Sequence, residues 1–258
     1  MEAQEEGSIM SAITRWLDKI LYPTYEDMWD NKMFRAFLME KIKPDYFLLD
    51  YGAGRGALHE LNFRGKTKRV AGVDIHESVL HNPFLDESEL IFLYSGRIPY
   101  DDNTFDLVFS ANVMEHIQEP EIVFKEIFRV IKPNGLFIAK TPNKLHYVPM
   151  IAKITPYSFH IFINKIRGRV SYDTFPTVYK CNTVEALKKY SRSSGFKVID
   201  IKMWEGRPEY LRIASLLYLL GYIYERFVNT LPFLVKFRSV MVFTLQKPDV
   251  SLEALRQV

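Results

Sequence analysis

"FLLDYGAGRGALHEL", residues 47–61, is the stretch that decides the fold. An apolar run carries an acid near its end, Asp50, and gives way to glycines at alternate positions, Gly52, Gly54 and Gly56. A helical pattern, "ALHEL", follows. Glycine lacks a Cβ, so its backbone takes left-handed conformations and lets another group approach closely. A plain tight turn would also use glycines. These, however, leave a buried strand and open a helix, the setting in which such a loop holds part of a nucleotide.

Outward from that loop the chain alternates strands and helices. "YFLLDY" (46–51) is continuously apolar, as a strand buried on both faces should be. "RVAGVDI" (69–75), "LIFLYS" (90–95), "FDLVFSA" (105–111) and "LFIAKT" (136–141) read as four more strands. "PEIVFKEIFRVI" (120–131) is a helix that stops at "KPNG", and "TVEALKKYSRSSG" (183–195) is a helix capped by Thr183 and ended by Gly195. "FKVIDIKMW" (196–204) and "SVMVFTLQK" (239–247) are the last strands. The alternation predicts an α/β fold, a doubly wound and mostly parallel sheet with right-handed crossovers. The organisation expected is a helical leader over 1–44, one domain over 45–248 with insertions at 142–182 and 205–238, and a tail at 249–258.

Asp74 closes the second strand, 20 residues after Gly54. A carboxylate there can accept hydrogen bonds from both hydroxyls of a ribose, besides capping the segment that follows. Ile75, next in sequence, would lie against an adenine face. Dinucleotide enzymes space their glycines G-x-G-x-x-G and bring a pyrophosphate to a helix N-terminus. Here the third glycine, Gly56, comes one residue early, giving G-x-G-x-G with Ala53 between the first two, and Asp50 stands two residues before the first. An acid at that place suits a cationic amine and repels a pyrophosphate.

"LLDYGAGRG", "VAGVDI", "IPYDDNTFDLVFSANVMEHIQEP" and "EIFRVIKPNGLFIAKTPN" together make the chain resemble the class I, Rossmann-like S-adenosylmethionine-dependent methyltransferases, in particular the small-molecule group. The resemblance runs over roughly 46–141 and more weakly through the last two strands. It implies a seven-stranded sheet whose last strand is antiparallel, and S-adenosyl-L-methionine as cofactor. It also implies that the loop Gly52–Gly56 holds the methionine end, that Asp74 holds the ribose, and that Asn112 and its successors line the transfer site. Family members often carry an acid after the third strand, against the adenine amine. Its place falls near Tyr94 in "YSGR", so the backbone there, Ser95 and Gly96 are the expected adenine contacts.

A methyl group on a sulfonium is already activated, so the protein chiefly has to align donor and acceptor. A hydroxyl acceptor also needs a base, and an imidazole titrates near neutrality. His146, just past the fifth strand, and His116, in "MEH" after the fourth, are the candidates singled out over His160 and Asp173. Each is equally readable as a packed or loop histidine. Glu115 beside His116 makes no metal site, and none is expected.

The rest of the chain bears on the acceptor. Segment 205–238 holds "EYLRIASLLYLLGYIYERFVNTLPFLVKF", apolar nearly all round, with Arg207, Arg212, Arg226, Lys236 and Arg238 at its flanks. It reads as a packed helix, a lid for a greasy acceptor, a homodimer contact or, through 210–235, a surface resting on a membrane. Its longest apolar run, 213–224, is too short to span a bilayer, which takes about 20 residues. "NKIRGR" (164–169) is either a solvated loop or a phosphate contact. Both insertions should roof the active site. An apolar roof and a basic group together suit a sugar, lipid-linked or other apolar biosynthetic intermediate, methylated on a hydroxyl.

Other classes fare worse. A net charge of +3 over 258 residues does not ask for a nucleic-acid partner, and the fourth strand is followed by "SANVMEH" where amino-directed DNA enzymes carry N/D-P-P-Y/F. An RNA methyltransferase and a non-catalytic binding protein on the same fold are the alternatives. The single cysteine, Cys181, excludes an intrachain disulfide. With no basic-then-apolar leader at the N-terminus, the chain reads as cytoplasmic or peripheral at a membrane.

Overall fold

The computed structural model describes residues 12–24, 28–92, 96–154 and 176–249. Ser95, Tyr94, His160, Asp173 and "NKIRGR" lie outside the described residues. Seven strands form one mixed sheet, six parallel and the last antiparallel, in the order β3-β2-β1-β4-β5-β7-β6. They are β1 (Phe47–Tyr51), β2 (Arg69–Asp74), β3 (Glu87–Leu90), β4 (Phe105–Ala111), β5 (Ile131–Pro142), β6 (Lys197–Trp204) and β7 (Val240–Gln246). The fold expected from the sequence is the fold found.

β1 lies between β2 and β4, pairing Leu48 with both Val70 and Leu107. With a parallel neighbour on either side and apolar layers above and below, Leu48 and Leu49 are wholly buried, which is why the run is apolar without alternation. Phe109, Phe137 and Phe243 continue the core along β4, β5 and β7, with Phe137 and Phe243 in edge-to-face contact at 5.4 Å.

The third strand departs from expectation. It is "ESEL", not "LIFLYS", and pairs with β2 from Ala71↔Glu87 to Asp74↔Leu90. β3 is the sheet's edge, with one neighbour, so it stays half exposed and tolerates Glu87, whose carboxylate meets Arg69 at 2.5 Å. The helix expected after the glycine loop is also absent: only a 3-10 turn, His59–Leu61, forms. Residues 57–68 alone separate Gly56 from β2, and Gly65 already takes φ +74°, so no room is left for several helical turns. β5 begins before "KPNG", not after it. Asn134 at φ +64° absorbs those residues as an irregularity, and the register against β4 shifts between Phe105 and Leu107.

Helices α1 (Ala12–Leu21), α2 (Trp29–Met39), α3 (Pro120–Val130), α4 (Tyr147–Ile154), α5 (Val184–Ser193) and α6 (Ser215–Thr230) complete the described structure. Thr183 caps α5 as its position predicts, its hydroxyl accepting from the Ala186 amide at 3.2 Å.

The chain groups into two compact units. The larger comprises Asp30–Pro142, Thr177–Lys202 and Met241–Val258 and is built on the sheet; the smaller comprises Met1–Trp29, Asn143–Pro176 and Met203–Val240. The segment 1–44 therefore divides: α1 belongs to the smaller unit and all of α2 but Trp29 to the larger. In the smaller unit α1 packs on α6 through Leu17, Tyr22 and Tyr218. Asp18 ties the same pair, accepting from the Tyr218 hydroxyl at 2.6 Å and from Arg212 at 2.5 Å.

Candidate cofactor site

The carboxyl ends of β1 and β2 shape the glycine loop. Gly52 and Ala53 both donate their amides to the Val73 carbonyl, at 2.8 and 3.1 Å, which folds the loop back onto β2. Gly52 sits at φ +83°, and a Cβ there would come within 2.3 Å of Val113. Gly54 sits at φ +52° with open space where its Cβ would be. Gly52 is thus demanded by packing against the segment after β4. Gly54 faces room that a ligand can use. Asn82, which the sequence did not single out, holds the loop from below, its amide donating to the Ala53 and Gly54 carbonyls at 3.0 and 3.2 Å. A Cβ on Gly56, at φ +76°, would collide with that same side chain.

Asp74 is not the cap expected for the segment that follows, since His76 caps the turn Glu77–His81; the Asp74 carboxylate braces the glycine loop instead. One carboxylate oxygen accepts from the Gly54 amide and the other from the His76 amide, each at 2.9 Å. Each oxygen keeps a further lone pair for a ligand hydroxyl. Ile75 beside it is exposed.

Asp50 is buried, and among the described residues no hydrogen bond or ion pair reaches its carboxylate. Burial pushes its pKa well above the usual carboxylate range, and the neighbouring Asp74 charge adds to this. A buried carboxylate without a partner is costly, and a cation seated beside it would relieve the cost. The site therefore has the chemistry to take an amine-bearing ligand at the end of β1.

Asn112 ends β4 at φ +58°, its amide bonded to the Lys140 carbonyl at 2.8 Å, and Val113 beyond it closes on Gly52. Gly96 takes φ +59°, its missing Cβ facing Ile122. Asp50, Gly52, Ala53, Gly54, Gly56, Asp74, Ile75, Gly96 and Asn112 all belong to the larger unit.

The two catalytic candidates do not share a unit. His116 ends the turn Met114–His116 in the larger one, partly exposed, 3.8 Å from Glu115. Glu115 is a brace: its carboxylate accepts from the Thr141 hydroxyl at 3.0 Å, and its carbonyl accepts from the amides of Val178 and Tyr179. Lys140, fully buried on β5, meets Asp30 at 2.5 Å and Asn31, both at the start of α2. Its burial lowers its pKa, and the Asp30 charge counters that. No cluster of three metal-ligating side chains occurs among the described residues.

His146 lies in the smaller unit, just before α4. Its Nδ1 accepts from the Val148 amide at 3.4 Å, which leaves the proton on Nε2, 3.5 Å from a Glu205 carboxylate oxygen. Nε2 is buried and has no hydrogen-bond partner among the described residues. Burial drops the imidazole pKa to about 3 and lifts that of Glu205 to about 7, although the Ser239 and Gly206 amides hold the carboxylate in its charged form. The sequence offered no sign of Glu205 beyond an acid at the end of a strand.

Residues 49–139 match a family described as a methyltransferase domain. The 24-methylenesterol C-methyltransferase 3 of Arabidopsis thaliana is 34% identical over 107 residues, 38% of this chain and 30% of that enzyme, so the chain spans less than a third of its length. The ubiquinone/menaquinone biosynthesis C-methyltransferase UbiE of Hydrogenovibrio crunogenus is 28% identical over 189 residues, 66% of this chain and 74% of the relative. Among solved structures, Haemonchus contortus phosphoethanolamine N-methyltransferase 2 in complex with S-adenosyl-L-methionine has the same fold, with a TM-score of 0.53 at 16% identity over 93% of this chain and 61% of that one. The resemblance read from the glycine loop is borne out over residues 49–139, the stretch that matches a methyltransferase domain.

Proposed function

We propose that this class I methyltransferase domain holds S-adenosyl-L-methionine at the glycine loop and methylates a small, apolar acceptor. The cofactor supplies a methyl group on a sulfonium, with a neutral thioether as leaving group. Asp50 pairs with the amino group of the methionine end, and Gly52, Ala53, Gly54 and Gly56 let the loop backbone close on it. Asp74 accepts the ribose hydroxyls, and Ile75 covers the base beside Gly96 and Ser95. Asn112 borders the transfer site. The observation that carries this assignment is the buried Asp50 carboxylate at the loop entrance, which no hydrogen bond or ion pair reaches among the described residues.

The relatives' names favour a carbon acceptor. A carbon becomes nucleophilic when a hydroxyl conjugated with it loses its proton, so the hydroxyl-bearing acceptor expected from the sequence keeps a role here. The same base serves both outcomes. His146, read from the sequence as a base, turns Nε2 toward Glu205, and within the smaller unit that carboxylate, raised to about 7, is the group poised to take a proton near neutrality. His116 is left the part of fixing the turn after β4.

The test is methyl transfer from methyl-labelled S-adenosylmethionine to a total cell extract, followed by solvent partition. Label should enter the organic-soluble, low-molecular-weight fraction. Label confined to RNA or protein would overturn the assignment.

A further inference from the structure

One surface of the smaller unit has no role in what precedes. α6 buries Tyr218, Gly221, Glu225 and Val228 along one side. Leu216, Leu220, Ile223 and Phe227 recur at helical spacing on the other, and each is about half exposed or more, Leu216 reaching 71%. At roughly 100° per residue the two stripes lie on opposite faces, so the packing of α6 in its unit leaves this apolar stripe in the open. α1, which packs on α6, exposes Trp16 to 60% with Ile13 and Ile20 beside it. Single exposed apolar residues need no explanation, but a stripe along a helix marks a contact surface.

The charges of the same unit say what the surface contacts. Over its full sequence the unit carries twelve Lys and Arg against ten Asp and Glu, a net +2, and it is the placement of the described charges that bears on the face. The four acids among its described residues are engaged within the unit. Asp18 and Glu209 meet Arg207 and Arg212. Glu225 takes Tyr22, Asn229 and Arg226, and Glu205 takes the Ser239 amide. Lys19, Lys144, Arg226 and Lys236 are exposed. An apolar face with exposed cations on the same helices and the turn that follows complements an anionic lipid surface. α6, 16 residues long and therefore about 24 Å, cannot cross a bilayer but has the length to lie along one. No described helix is long and apolar enough to span.

We propose that the smaller unit docks on an anionic bilayer, with α6 in the interfacial plane and its Leu216–Phe227 stripe turned toward the acyl chains. The docking stands on this face alone. It rests on the proposed function only in making the bilayer the source of the apolar acceptor.

The test is flotation of the full chain with vesicles of phosphatidylcholine alone and with vesicles of equal parts phosphatidylcholine and phosphatidylglycerol. The chain should float with the anionic vesicles and release as salt is raised. Substituting both Leu220→Glu and Ile223→Glu should weaken that binding by about tenfold or more. These exposed positions lie outside the cofactor site, so the thermal shift with S-adenosylhomocysteine must persist in the variant, which separates loss of docking from loss of fold and from failure of the donor assignment. Lys19→Glu with Lys236→Glu provides a second variant that leaves the apolar stripe intact and should also weaken binding. Equal binding to both vesicle types, or binding to neither, overturns the proposal. So does a dimer, by light scattering, that the two α6 substitutions dissolve.

Discussion

At the scale of single residues, the three loop glycines look alike in sequence and differ in what they do. Gly52 combines φ +83° with a Cβ position 2.3 Å from Val113, so Gly52→Ala must strain the backbone and move the segment after β4. We expect a loss of about 2 to 4 kcal/mol in denaturant unfolding. Gly54→Ala meets no protein atom within 4 Å and should cost the folded chain only about 1 to 2 kcal/mol. It should nonetheless weaken binding of S-adenosylhomocysteine in calorimetry, because its Cβ enters the space assigned to the ligand. Equal stability losses in the two variants would contradict this division. The glycines were legible because backbone geometry restricts residue type at fixed spacing, and Asp74 because it closes a buried strand beside the loop it braces. Asn82 was not, since a side chain that holds a loop from a distant turn leaves no spacing to read.

At the scale of elements, hydrophobic pattern gave the central strands and misplaced the edge. β1, β2 and β4 are buried on both faces, so their apolar runs coincide with the strands. β3 is an edge strand whose pairing with β2, not its own hydrophobicity, fixes where it lies. The partnership of α4's entrance with the end of β6 was equally hidden, although it joins His146 to Glu205. Its consequence shows in the pH dependence of stability. His146, with its folded pKa lowered to about 3, binds fewer protons folded than unfolded, so its contribution to stability rises with pH from about 3 to the ordinary imidazole value. Glu205, raised to about 7, binds more protons folded, so its contribution falls from the ordinary carboxylate value up to about 7. The two slopes oppose each other between roughly pH 4.5 and 6.5. Glu205→Gln removes one of them. Unfolding free energy of that variant should therefore rise with pH more steeply than wild type across this window, by about 1 kcal/mol per pH unit. Parallel profiles would show that the two groups do not titrate as their burial demands.

At the scale of the whole molecule, both units are assembled from three separated stretches, and they differ in how much of each a local pattern announces. The larger unit takes its sheet and glycine loop from a pattern that a single sequence displays, strand after strand. The smaller unit is assembled from three separated stretches, including α1, whose packing on α6 joins residues some 200 positions apart. No local pattern announces such an association, which is why the smaller unit was less legible than the larger. Donor binding at the glycine loop is tested by thermal-shift and calorimetric titration with S-adenosylmethionine, S-adenosylhomocysteine and NAD. The account predicts that both adenosyl ligands bind and stabilise the chain, that NAD does neither, and that Asp50→Asn weakens S-adenosylmethionine binding roughly 30-fold or more through loss of a buried charge partner. Stabilisation by NAD alone, or adenosyl binding indifferent to Asp50, would contradict it.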